Sequence, residues 1–245
     1  MIEYLDHHGI AALRLEHGPV NALDLELLTA IPEAVAQVAD ARAIVLTGSG
    51  SAFSAGVDLK RIVEGGPNYV ERFLPALSRA LLAVFSHPKP VVAAVNGHAL
   101  AGGCVLAAAC EARLMSAGTI GLVELAAGVP FPTVPLEIMR HAVGPALETL
   151  LLGAGRLTAD QARAVGLVHE IVEPDQLLDS ALRKAEQLAA VPDEVYALAK
   201  RQLRRPARER MDAARPSDDP EVLEIWSSRR TGELLRGYLE SLRRG

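Results

Sequence analysis

Two glycine-containing loops are the features of this sequence whose residue types could support chemistry. Their sequences are SAFSAGVDL at residues 51–59 and VNGHALAGGC at residues 95–104, and each places glycine where a strand-like segment meets a helix start. Glycine permits a tight turn or a close backbone approach to a ligand, because it has no Cβ. The first amides of a helix lack intrahelical acceptors and lie at its positive end, which suits an oxyanion or enolate. The pair predicts an oxyanion hole, although glycine at such a junction can also serve the turn alone.

Several common kinds of site are excluded by the motifs that the sequence lacks. It contains no G-x-G-x-x-G, no G-x-x-x-x-G-K-[ST], no G-x-S-x-G and no H-E-x-x-H, and its seven histidines are scattered. Nucleotide cradles, serine hydrolases and metalloenzymes depend on these patterns. The sequence therefore predicts no bound metal and no cofactor.

Hydrophobic periodicity predicts the strands and helices that flank the two loops. Apolar or alternating runs predict strands at residues 10–15, 43–48, 91–95, 113–117 and 168–172. The first of these follows a turn at His7-His8-Gly9, which predicts an opening hairpin. Asp24 is suited to cap a helix that Pro32 should interrupt, and Thr158 is suited to cap a short helix. Two successive strand–loop–helix units predict a layered α/β core.

The C-terminal part of the chain is predicted to be helical. Helix patterns cover residues 175–190, 193–204 and 221–242, and Pro206 and the PSDDP stretch at 216–220 are expected to separate the last two. We therefore divide the chain into a core at residues 1–190 and a helical region at residues 191–245.

Composition limits the partners and the location. Half of the 245 residues are hydrophobic, which is enough for a sizeable core, and the net charge is −5. The basic residues gather near the C-terminus without interleaved aromatics, so binding to nucleic acid is not expected. There is no 18-residue apolar span and no signal-peptide pattern, which predicts a cytoplasmic protein away from membranes. Cys104 and Cys110 have no metal or disulfide spacing and are predicted to be small core residues.

The loops also carry a specific resemblance. They resemble the AFxAGxDL and NGxxxGGG motifs of the crotonase, or enoyl-CoA hydratase/isomerase, superfamily. Further similar segments are PVNALD at 19–24, HPKPVVAAVNG at 87–97 and LTADQARAVGLVHEIV at 157–172. The resemblance implies an α/β fold built as a spiral of ββα turns, with a helical C-terminal trimerisation region. It also implies an acyl-CoA thioester as substrate and assembly into a homotrimer or a dimer of trimers.

The resemblance assigns roles to residues of both loops. The backbone amides of Val57 and Gly102 would bind the thioester oxygen, and the alanine at position 101, where the family often has glycine, is expected to cost little. Lys60 and Arg61 would meet a CoA phosphate or form a solvated helix face, and Tyr238 and Arg243 of a neighbouring subunit are weaker candidates for contact with CoA. The residues implied to contact coenzyme A are Ala22, Leu23, Asp24, Ala55, Gly56, Lys60 and Gly103.

The proton chemistry follows from two further positions. Hydratases of the family use two glutamates; the first falls on Val105, and the second on Glu124 in TIGLVELAAG at 119–128, which resembles the IGLNE stretch of Δ3,Δ2-enoyl-CoA isomerases. One carboxylate suffices for a 1,3-proton shift, and burial among apolar neighbours should raise its pKa. An isomerase is therefore favoured. A hydratase or another crotonase-type lyase, and a catalytically silent acyl-CoA binding protein with a solvated Glu124, are the alternatives.

Overall fold

The computed structural model describes residues 1–242, in which apolar runs form two β-sheets with helices packed around them. The larger sheet has the strand order β1-β2-β3-β5-β7-β10, and the smaller has the order β4-β6-β8-β9. The larger sheet consists of β1 (Ile2–His7), β2 (Ile10–Leu15), β3 (Ala43–Gly48), β5 (Val91–Val95), β7 (Ala112–Met115) and β10 (Glu170–Ile171). The smaller sheet consists of β4 (Ala52–Ser54), β6 (His98–Leu100), β8 (Ile120–Gly121) and β9 (Arg156–Leu157).

The opening hairpin is the antiparallel part of the larger sheet. Strands β1 and β2 pair antiparallel, and His8 and Gly9 turn between them with φ of 55° and 82°. From β2 onward the neighbouring strands pair parallel. The predicted hairpin and the predicted strands at 43–48 and 91–95 are confirmed, the strand predicted at 113–117 is found as β7, and the strand predicted at 168–172 is shortened to β10.

A repeated ββα unit positions the two loops. In each unit, a strand of the larger sheet leads to a strand of the smaller sheet and then to a helix. The helices are α2 (Leu59–Phe85), α3 (Gly102–Ala108) and α4 (Glu124–Ala127). The three units are β3-β4-α2, β5-β6-α3 and β7-β8-α4. Because β4, β6 and β8 are parallel neighbours, the segments that leave their carboxyl ends lie side by side. The structure thus confirms the predicted spiral of ββα turns.

Helix α1 (Leu25–Gln37) begins at the predicted cap. The Asp24 carboxylate accepts a hydrogen bond of 2.9 Å from the Leu27 amide. The predicted interruption at Pro32 is wrong, because the helix continues through it. Proline removes one backbone hydrogen bond, but the helix buries an apolar face against the core, and that burial outweighs the loss.

Four more helices and one 3₁₀ turn complete the spiral. They are α5 (Thr133–Val143), α6 (Ala146–Leu152), α7 (Ala159–Ala164), the 3₁₀ turn at Pro174–Gln176, and α8 (Leu177–Leu188). Thr158 caps α7 in a reciprocal capping box with Gln161, as its position predicted. Cys104 and Cys110 are free and buried, which confirms them as core residues.

The C-terminal helices differ from the sequence prediction. Helix α9 (Asp193–Ser227) runs for 35 residues without a break at Pro206 or at residues 216–220, and α10 (Arg229–Leu242) follows. The chain bends at Ser228, where ψ is 147°. The prolines are tolerated because α9 packs along α5 and α2 and buries one face there. The division of the chain near residue 190 stays a prediction, and Arg243 lies outside the described residues.

Within residues 1–242, no helix combines the length and apolar character needed to cross a membrane.

Candidate active site

The backbone around Val57 leaves its amide free. Leu23 forms an isolated parallel bridge with Val57: the Leu23 amide donates to the Gly56 carbonyl at 2.8 Å, and the Asp58 amide donates to the Leu23 carbonyl at 3.0 Å. A parallel bridge engages the residues that flank the bridged one, so the Val57 amide points away from Leu23. Within residues 1–242, neither the Val57 amide nor the Gly102 amide donates a hydrogen bond.

The two loops touch at positions where only glycine fits. A Cβ added to Gly56, which has φ of 85°, would lie 2.5 Å from the Leu100 oxygen and 3.2 Å from the Gly102 nitrogen. A Cβ added to Gly102 would lie 2.9 Å from the Leu23 side chain and 3.7 Å from that of Val57. The absence of side chains at Gly56 and Gly102 therefore brings the two free amides close to each other.

Ala101 has a strained backbone conformation that could not be predicted from the sequence. It precedes α3 with φ of 51° and ψ of −126°, a conformation that favours glycine. A residue with a side chain in such a region costs about 1–3 kcal/mol. The expectation that alanine at this position costs the oxyanion hole little concerns donation by the Gly102 amide, and it stays a prediction.

A cavity of about 490 Å³ opens beside the two loops. Its wall is mostly apolar, and it includes Val129 and Ala127 from the segment around α4 and Leu100 from β6. The predicted site residues that line it are Ala22, Ala55, Gly56, Val57, Lys60 and Glu124. Lys60 is exposed at the edge, with its Nζ 3.8 Å from a carboxylate oxygen of Glu64.

The other predicted residues, Leu23, Asp24, Gly102 and Gly103, are not among the residues that line the cavity. Leu23 is fully buried, and Asp24 caps α1 with its second oxygen 2.7 Å from His17 Nε2. A Cβ on Gly103 would lie 2.2 Å from the Ser54 oxygen, so this glycine allows α3 to pack on β4. That Leu23, Asp24 and Gly103 contact coenzyme A stays a prediction.

Glu124 is a buried carboxyl group that lines the cavity. It is the first residue of α4, is 8% exposed, and its Oε2 has no hydrogen-bond partner in the described structure. Burial raises the pKa of Glu124 to about 8, although the backbone amides of Val123 and Glu124 partly offset this effect. A group with this pKa can both accept and return a proton near neutral pH.

The other positions relevant to proton transfer are unsuited to it. Val105 is fully buried in α3 and has no ionisable group. Asp58 also lines the cavity, but its carboxylate caps α2 by accepting a hydrogen bond of 3.1 Å from the Arg61 amide. Among the carboxyl groups of residues 1–242 that line the cavity, Glu124 is thus the one with a buried, unpaired oxygen.

The C-terminal helices form one wall of the cavity, and of this wall only Tyr238 was a candidate from the sequence. Trp226 of α9 and Tyr238 and Leu239 of α10 line the cavity, and the Trp226 indole donates to the Pro130 oxygen at 2.9 Å. Trp226 is the single tryptophan of the chain, which was the available signal for it. Arg156 of β9 also lines the cavity and stands just before the motif at residues 157–172.

Comparison with known proteins agrees with this geometry. The structure superimposes on the crystal structure of human mitochondrial Δ3-Δ2-enoyl-CoA isomerase with a TM-score of 0.93 and 26% identity, over 99% of this chain and 98% of that chain. Such a likeness defines a crotonase-type fold. The enoyl-CoA hydratase/isomerase family model matches residues 6–244, and the chain belongs to this family.

The curated relatives include proteins named for both reactions. A putative enoyl-CoA hydratase of Thermus thermophilus is 40% identical over 152 residues, which span 60% of this chain and 60% of that protein. Human mitochondrial enoyl-CoA delta isomerase 1 is 28% identical over 243 residues, which span 96% of this chain and 80% of that protein. The chain is therefore an acyl-CoA enzyme of the hydratase/isomerase type.

Proposed function

We propose that this protein moves the double bond of a 3-enoyl-CoA to the 2-position. The observation that carries the proposal is that Glu124 lines the cavity as a buried carboxyl group with one unpaired oxygen, and that no second free carboxylate of residues 1–242 lines the wall. A 1,3-proton shift needs one group that removes a proton and returns it, and Glu124 meets that need.

The mechanism follows from the placement of these groups. The thioester oxygen accepts hydrogen bonds from the Val57 and Gly102 amides, which have no other acceptor in the described chain. Ionised Glu124 removes a proton from C2, the electrons of that C–H bond form the dienolate, and the two amides stabilise its oxyanion. The carboxyl group then returns the proton at C4, so that the double bond lies between C2 and C3. Atoms and charge balance without a co-reactant.

Hydration is the second candidate, because several relatives carry that name. It requires deprotonation of a water molecule as well as proton delivery to C2, which the family's hydratases share between two glutamates. Here Val105 occupies the first position, and Asp58 is engaged as a helix cap. The cavity wall thus favours isomerisation over hydration.

A silent acyl-CoA binding protein is the remaining alternative. Binding a thioester would need only the two amides, whereas a buried carboxylate without a partner costs folding free energy. Retention of Glu124 in that position supports a catalytic role. The assembly into a homotrimer or a dimer of trimers, and the cytoplasmic location, stay predictions.

Replacement of Glu124 tests the proposal. We expect Glu124→Gln to lower kcat for 3-hexenoyl-CoA isomerisation roughly 10²- to 10⁴-fold, because the amide keeps the shape but cannot accept a proton. Glu148→Gln is the matched control, since Glu148 is an exposed residue of α6 that does not line the cavity. Steady-state kinetics and thermal unfolding of both variants provide the measurement. A Glu124→Gln enzyme that folds normally and retains kcat within about threefold of wild type would refute the proposed role.

A further inference from the structure

The smaller sheet arranges four functional groups along one edge. Its strand order is β4-β6-β8-β9, and the first three strands lead to Val57, Gly102 and Glu124 in that order. Strand β9 runs antiparallel to β8 with Arg156 opposite Gly121, so Arg156 stands at the edge where the other three strands end. Neighbouring strands are about 4.8 Å apart. The edge therefore presents two amides, then a carboxyl group, and then a guanidinium group one strand farther on.

Local contacts connect these positions directly. The Ala101 amide, just before Gly102, donates to the Gly121 oxygen at 2.9 Å, and Gly121 is the residue paired with Arg156. Glu124 lies three residues after Gly121 in the sequence. Both Glu124 and Arg156 line the same cavity. Arg156 thus lies on the far side of Glu124 from the two amides.

Arg156 is a cation without a structural task in the described chain. Its side chain is exposed and forms no ion pair with any carboxylate of residues 1–242. Lys60, the other cation that lines the cavity, has Glu64 as its neighbour. A guanidinium group with free donors in a mostly apolar cavity is suited to hold a carboxylate through two parallel hydrogen bonds.

We infer that Arg156 binds a carboxylate at the far end of the acyl group, so that the preferred substrates are CoA monothioesters of short unsaturated dicarboxylic acids. The inference rests on the proposed function, because the bound thioester defines the direction of the acyl chain. With the carbonyl oxygen at Val57 and Gly102 and carbons C2 to C4 beside Glu124, the next group along the edge meets Arg156. A phosphate of coenzyme A is the other anion that Arg156 could bind, and a comparison of thioesters with and without a terminal carboxylate distinguishes the two anions.

Binding of two saturated thioesters tests the inference without requiring turnover. Adipoyl-CoA and hexanoyl-CoA share a six-carbon acyl chain and differ only in a terminal carboxylate or methyl group. We expect the wild-type protein to bind adipoyl-CoA about tenfold more tightly, as measured by calorimetry. We expect Arg156→Gln to abolish this preference while it changes the Kd of hexanoyl-CoA less than about twofold.

A matched variant and the turnover of the enoyl forms complete the test. Arg163→Gln removes a cation from α7 that does not line the cavity, and it should leave both Kd values unchanged. With 3-hexenedioyl-CoA and 3-hexenoyl-CoA as substrates, kcat/KM should show the same dependence on Arg156.

Four outcomes would overturn the inference. These are equal binding of the two thioesters by the wild type, preference for hexanoyl-CoA, binding of neither, and an equal loss for both in Arg156→Gln, which would assign Arg156 to a CoA phosphate. If adipoyl-CoA is preferred but no enoyl-CoA is isomerised, the proposed function fails and the carboxylate site stands.

Discussion

Burial of the Glu124 side chain raises the pKa on which its proposed role depends. The chain folds so that this carboxyl group is the first residue of a short helix and is 8% exposed, with one oxygen unpaired in the described structure. Its neighbours Leu122 and Ala127 are buried, which explains the direction of the pKa shift. The sequence predicted this direction from the apolar residues around position 124. The free amides of Val57 and Gly102 were assigned by resemblance alone, because the direction of an N–H depends on bridges such as Leu23 with Val57.

The raised pKa of Glu124 predicts a pH dependence. The base must be ionised to remove the C2 proton, so kcat/KM should rise about tenfold per pH unit below about 8 and level off above it. The pH–rate profile for 3-hexenoyl-CoA is the measurement. A profile that is flat, or that falls through this range, would contradict a role of Glu124 as the initial base.

Stability provides an independent readout of the same pKa. Between the ordinary value of 4.5 and about 8, the folded protein keeps a proton that the unfolded chain has lost, so this group's contribution to stability falls as pH rises through that window. The glutamine of Glu124→Gln cannot titrate, so the stability of this variant should fall less steeply between pH 4.5 and about 8. Urea unfolding of both proteins at pH 5 and pH 9 checks the sign.

At the scale of elements, the close pairing of β4 with β6 brings the loops together. Gly56 contacts the backbone of Leu100 and approaches the Gly102 amide, so the two free amides depend on this contact. Strands β3 and β5 were predicted with their observed bounds, because short apolar runs bounded by turn residues give clear signals. The continuous helix α9 was not predicted, because burial of one face overrides the local effect of three prolines. The pairing of β9 with β8, which brings Arg156 to the cavity, left no signal in the local pattern.

Two glycine variants separate loop contact from backbone strain. Gly56 and Gly166 have φ of 85° and 75°, but only Gly56 has atoms close to an added Cβ. We expect Gly166→Ala to lower the free energy of unfolding by about 1–2 kcal/mol through backbone strain alone. Gly56→Ala should cost at least about 3 kcal/mol and should lower isomerase activity in the fraction that folds. Chemical denaturation and kinetics measure both effects, and equal costs for the two variants would argue against a tight contact between the loops.

For the molecule as a whole, the C-terminal helices form part of the cavity wall. Trp226 and Tyr238 line the cavity. Lys200 and Arg204 of α9 form ion pairs with Glu111, which connect this helix to the spiral. The spiral of ββα turns could be predicted from ordered motifs in the first 190 residues. The packing of α9 and α10 against the cavity could not be predicted, because it depends on contacts between segments that are distant in sequence.

A side-by-side assay of the purified protein tests whether this site isomerises a 3-enoyl-CoA with one carboxyl group. 3-Hexenoyl-CoA and 2-hexenoyl-CoA are supplied separately, and products are identified by liquid chromatography and mass spectrometry. The proposal predicts conversion of 3-hexenoyl-CoA to 2-hexenoyl-CoA with a kcat/KM at least about a hundredfold above that for hydration of 2-hexenoyl-CoA. Faster formation of 3-hydroxyhexanoyl-CoA from 2-hexenoyl-CoA than isomerisation of the 3-enoyl substrate would contradict it.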